Sequence, residues 1–156
     1  MTMDDSALAH SIQQSTEKVF KSMFGMDVNS NGFERKSELQ AGEEVLSIIG
    51  IRGEWKGSFM LVCDPASACK LVSTMLGSDI PTLDNEVLDG IGELANIMMG
   101  NLKDVLEEGS KDVAMTPPTV VHGDNMIVRA RAKQEWLVVP FTTYNSRFEV
   151  RMIIRE

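Results

Sequence analysis

The chain has 156 residues, 43% hydrophobic and 24% charged, the balance of a soluble globular protein with enough core for one domain over residues 1–156. Its net charge of −8, from 23 acidic against 15 basic residues, repels phosphodiester backbones and anionic lipid heads, which argues against nucleic-acid and membrane-surface partners. No apolar run approaches the roughly 18 residues that span a bilayer, and the polar start MTMDDSALAHSIQQ is neither a signal nor a transit peptide, so a cytoplasmic protein is expected.

Residues 6–24 read as a helix, with Ser6 able to cap it, Leu8, Ile12, Val19 and Met23 at helical spacing, and Gly25 able to end it. Residues 27–40 are polar and look like a loop or an irregular lead-in to a strand. VLSIIGIRG (45–53) and SFMLVCD (58–64) flank the turn-like EWKG and form a hairpin signal. Asp64-Pro65 opens a short helix, with Asp as N-cap and Pro at the first position, and Gly77 stops it. After the linker SDIPTLD, Asp84 can cap a long helix that runs to about Glu108 and stops at Gly109. The remaining segments, 118–121, 125–132, 135–144 and 147–155, are β-rich, separated by short turns. Pro140 inside one of them calls for an edge strand or a bulge. The expected fold is α+β: a roughly six-stranded, mostly antiparallel sheet with two long helices and one short helix packed on it.

Two features invite over-reading. DVNSNGFERKSE (27–38) satisfies a calcium-loop pattern through Asp27, Asn29, Asn31, Glu38 and Gly32. Glu34 occupies the position usually apolar, Arg35 and Lys36 crowd the site, Gly25 interrupts the incoming helix and the outgoing segment lacks apolar periodicity, so a solvated loop is the better reading. Cys63 and Cys69 match no zinc spacing and form no disulfide framework; both read as small buried hydrophobes.

The long helix carries the chemistry. Val87, Ile91, Leu94, Met98, Leu102 and Val105 fall on one face, widened by Leu88, Ala95, Met99 and Leu106. Asp89, Glu93, Asn96 and Gly100 lie nearly opposite, in a strip roughly 60° wide at about 100° per residue. Glu93 and Asn96 are three apart and therefore neighbours. Asn and Gly are poor helix formers, and Gly90, Gly92 and Gly100 thin the helix so that another surface can approach its backbone. An ordinary solvated face is the competing reading. The stripe has no His or Cys, so no metal is expected, and no desolvating pocket favours Asp89 and Glu93 as an acid–base pair. A fainter echo links EKVFKSM (17–23) with ELANIMM (93–99), as if the first helix were a degenerate copy with Phe20 in place of Asn.

The stripe resembles the signature of the CheC/CheX/FliY family, phosphatases of the chemotaxis response regulator CheY. The family pattern is Asp or Ser, three residues, Glu, two residues, Asn, and a Pro about two dozen positions on. Here it reads Asp89, Glu93 and Asn96, with Pro117 and Pro118 following after 20 and 21 residues, one short of the usual spacing. GIRGEWKGSFMLVCDPASACKLVSTMLG and TPPTVVHGD are similar to the family's flanking segments, and a single signature copy is closest to the CheX branch. The resemblance implies a substrate, the aspartyl phosphate of a CheY-like response regulator, which brings its own Mg²⁺, so that the chain needs no cofactor. It implies that Asn96 orients the attacking water, that Glu93 pairs with a lysine of the partner, that Asp89 and Gly100 border the contact, and that the chain is a homodimer built by joining sheets. The alternatives are a non-catalytic regulator-binding module, either phosphate sink or switch component, using the same face, and an adaptor with no link to chemotaxis.

Overall fold

The computed structural model describes residues 4–40, 42–108 and 112–155. Helix α1 spans Asp5–Phe24; β1 Glu34–Lys36, β2 Glu38–Gln40, β3 Glu44–Gly53 and β4 Lys56–Cys63 follow. Helices α2 (Pro65–Leu76) and α3 (Asn85–Glu107) precede β5 Val113–Met115, β6 Thr119–Gly123, β7 Ile127–Arg129, β8 Trp136–Thr142 and β9 Arg147–Arg155. The described residues form nine strands, the expected six and three more. The additional ones, β1, β2 and β5, have three residues each, too few to display a period of two.

Capping follows local chemistry closely. Asp64 and Asp84 accept the backbone N–H of Ser67 and Val87 at 2.8 and 3.0 Å, as expected of N-caps. At α1 the cap is Asp4, which accepts from Ala7 N at 2.8 Å, and Ser6 lies inside the first turn. Gly25 and Gly77 close their helices in the left-handed conformation, with φ of 62° and 65°. The expected stop at Gly109 lies outside the described residues.

The main sheet is seven-stranded and antiparallel throughout, in the order β1-β8-β9-β4-β3-β5, with β6 also on β3 beside β5. The β3–β4 hairpin sits at its centre. One face meets α1, α2 and α3 over a core that includes Val45, Ile49, Phe59, Leu61, Val139, Val150 and Met152. The other carries a smaller cluster of Leu39, Leu46, Met60, Val62, Trp136 and Val138, covered by the separate β2–β7 pair. Pro140 keeps the ladder intact because β1 ends short of it. Its carbonyl, on the side away from β9, accepts the Ser30 hydroxyl at 2.6 Å, so the missing N–H interrupts no bond to β9.

Segment 27–38 runs into β1 rather than into a helix. Arg35 donates from Nε to Asp5 Oδ2 at 2.8 Å, tying β1 to the start of α1 and holding the Asp5 carboxyl below its usual range. Asp27 pairs with Lys21 at 3.1 Å and Glu38 with Arg129 at 2.8 Å. The helical echo fails on geometry: Phe20 is fully buried, stacked on Phe148 at 5.1 Å, whereas Met23 is 54% exposed. The equivalent positions in α3 are the reverse, Asn96 exposed and Met99 buried, so the two helices do not present matching faces.

Gly57 marks the tightest backbone approach in the sheet. A Cβ there would run into the Ile153 carbonyl oxygen on β9. Gly57→Ala is expected to destabilise the protein by more than about 1 kcal/mol, read as a lowered midpoint in urea unfolding.

Candidate functional site

Helix α3 packs its apolar face into the core through Val87, Ile91, Leu94, Ala95, Met98, Met99, Leu102 and Leu106. Val105, expected in that face, is exposed, whereas Leu106 beside it is buried. Asp89, Glu93 and Asn96 are exposed, and Gly100 is half-buried on the same side. None of the three polar side chains makes a hydrogen bond or ion pair with another described residue. They form an outward ridge to which no bond with another described residue gives a structural role.

The glycines divide into two kinds, contrary to the uniform role expected. At Gly90 a Cβ would meet Val72 Cγ1 and Cγ2 of α2 at 2.6 and 2.7 Å. At buried Gly92 it would meet Val120 Cγ2 at 3.2 Å and Pro118 Cγ at 3.7 Å. Both residues let neighbouring elements reach the α3 backbone. Only Gly100 of the three faces open space. The contact that sequence reasoning missed is therefore lateral: segment 116–118 leans on α3 from the Asn96 side, since Gly92 and Asn96 are four residues apart. The Pro-Pro pair was its visible trace.

The three ridge side chains are exposed rather than recessed. A concavity of about 780 Å³ opens elsewhere, beside Glu44, Asp64, Arg147, Glu149 and Arg151, and includes none of the ridge residues. Among the described residues no three His, Cys, Asp or Glu side chains gather so as to hold a metal. Neither cysteine offers a nucleophile: both thiols are buried, and burial pushes both pKa values up, at Cys69 with help from Asp84. An exposed carboxylate and a carboxamide side by side on a protruding helix cannot enclose a small substrate. They can enter a cavity that a partner supplies.

The glycine geometry has an opposite-sign consequence. Gly100→Ala should stabilise the protein by about 0.5–1 kcal/mol through helix propensity. Gly90→Ala should destabilise it by about 1–2 kcal/mol, because overpacking against Val72 exceeds that gain. Paired thermal unfolding curves test the contrast.

Likeness to known proteins bears on this arrangement. Residues 45–142 match the family model described as chemotaxis phosphatase CheX. The CheY-P phosphatase CheX of Thermotoga maritima is 29% identical over 127 residues, covering 81% of this chain and 82% of that protein. The crystal structure of chemotaxis protein CheX from Vibrio vulnificus superposes with a TM-score of 0.83 at 25% identity, covering 95% of this chain and 99% of the other. A chain of the CheX–CheY–BeF3–Mg complex of Borrelia burgdorferi shares the fold with a TM-score of 0.72 at 23% identity, over 94% of this chain and 97% of that one. With the matched region holding the central hairpin, both later helices and the whole polar ridge, this chain belongs to the CheX family of chemotaxis phosphatases.

Proposed function

We propose that the chain dephosphorylates the aspartyl phosphate of a CheY-like response regulator, with α3 as the docking helix. The observation that carries this reading is the ridge itself: Asp89, Glu93 and Asn96 are exposed, adjacent and free of bonds to other described residues. The homologous CheY-P phosphatase and the CheX–CheY complex of the related fold support the partner class.

Mechanistically, hydrolysis of an acyl phosphate needs a water in line with the leaving carboxylate, and a protein accelerates it chiefly by positioning and charge stabilisation. Asn96 supplies both a donor and an acceptor, enough to orient such a water inside the partner's site. Glu93, one turn away, pairs with a lysine of the partner and sets the register of docking. Asp89 borders the contact, and the open space at Gly100 admits the partner's surface close to the helix backbone. The Mg²⁺ belongs to the regulator, and the chain contributes no cofactor. The reaction takes place in the cytoplasm.

Asn96→Ala should leave stability within about 0.5 kcal/mol and reduce the accelerated rate by about 100-fold or more, with binding intact. Glu93→Ala should chiefly raise KM, by roughly tenfold, the size of one charge-assisted bond. Full activity of the Asn96 variant would sink the mechanism. Loss of phosphate that stops at one equivalent of this protein would favour the second reading, a non-catalytic sink.

We also assign a homodimer joined through sheet edges. Strand β6 pairs with β3 and with no other strand among the described residues, and its Val121 is exposed. Sedimentation should give twice the 17.2 kDa chain mass, and a monomer at every concentration would overturn the assignment.

A further inference from the structure

Residues 116–118 join β5 to β6 along β3. Met115 pairs with Ile51 and Thr119 with Ile48, so three residues on the outer strand span the two, Ile49 and Gly50, on β3. Thr116 holds this bulge from both sides of one residue. Its N–H donates to Gly50 O at 2.9 Å, and its Oγ1 accepts the Gly50 N–H at 2.8 Å, where a strand carbonyl would ordinarily serve. A Cβ on Gly50 would lie 3.1 Å from Thr116 Cγ2, so the glycine is matched to this clamp. Pro117 and Pro118 then fix two consecutive φ angles and leave no N–H to satisfy where the chain is out of register. The stiffened segment comes to rest against α3 at Gly92, next to Glu93 and one turn before Asn96.

We propose that the Thr116–Pro118 segment is a positioning element for the α3 ridge, and that Thr116 is the residue that holds it. With Pro118 lying over Gly92 beside Val120 of β6, the segment fixes the rotation of α3 about its axis and hence the direction in which Asn96 leaves the helix toward the docked regulator. A helix held only by its apolar face can roll on a smooth core; a lateral stop on the Asn96 side prevents this. Pro117 is exposed. This inference rests on the reading of α3 as the docking helix.

The test uses the full chain and a CheY-like regulator phosphorylated with acetyl phosphate. Thr116→Val keeps the shape but cannot accept the Gly50 N–H; it should lower kcat by about tenfold while KM moves less than about twofold. Thr116→Ser retains the hydroxyl and should restore kcat to within about twofold of the parent. A purely structural residue would lower the unfolding midpoint and leave kcat per folded molecule unchanged, and that result overturns the proposal. The Asn96 carboxamide resonance of the free protein should shift in Thr116→Val and return in Thr116→Ser; an unmoved resonance also overturns it. Should Thr116→Val fail to fold, Pro118→Ala removes the ring carbon that faces Gly92 and leaves both Gly50 bonds and the Val120 contact, with the same outcomes. If the parent protein shows no turnover, the phosphatase reading fails and takes this one with it. Normal turnover with unaltered variants defeats the positioning role alone.

Discussion

The close approach of two neighbours to the backbone of α3, at Gly90 and at Gly92, is the constraint on which the outer surface depends. An amphipathic helix of this length gains most of its stability from its buried stripe, including Ile91, Leu94, Ala95 and Met99. That stripe fixes which half of the helix faces in, but a rotation of a few tens of degrees would cost few apolar contacts. Side chains on the flanks would normally set the rest. Here the flanks are glycines, and Val72 on one side and Val120 with Pro118 on the other reach the main chain directly. Backbone contacts tolerate less displacement than contacts between flexible side chains. The ridge is therefore held by the part of the helix that has no side chain.

Much of this was readable in the residues. The apolar period of α3, the Asp64 and Asp84 caps and the Gly25 and Gly77 stops are local properties, and they place three helices and the central hairpin correctly. The short strands were not readable, since three residues pair only because β3, β8 and β7 are already there to receive them. The choice of Asp4 over Ser6 was lost for a similar reason, as either can cap and the core decides where the first turn begins. The outward position of Asp89, Glu93 and Asn96 followed from periodicity. The meaning of the glycines did not, because a missing side chain looks the same whether it faces solvent or a neighbour.

The face of the sheet away from the helices follows another logic. Arg151, its side chain 6% exposed, lies between Glu149 at 2.9 Å and Glu44 at 3.3 Å. Burial raises the Glu44 carboxyl above its ordinary range despite the attraction of Arg151. Arg151 Nη1 has no hydrogen-bond partner among the described residues. Such a triad is a costly way to stabilise a sheet, whereas it specifies strongly which strands lie side by side, since a shift of β9 by one residue would turn Arg151 into the helix-side core.

The state of the two thiols has a practical consequence for following this protein at work. Cys63 and Cys69 are the only cysteines in the chain, and both are buried, with burial raising the pKa of each thiol. Maleimides and nitroxide reagents require thiolate and access, so the native chain is close to inert toward them. A single cysteine introduced on the outer surface, away from the ridge, would carry a fluorophore or spin label without prior removal of either native residue. Association with a partner can then be timed on the unmodified core.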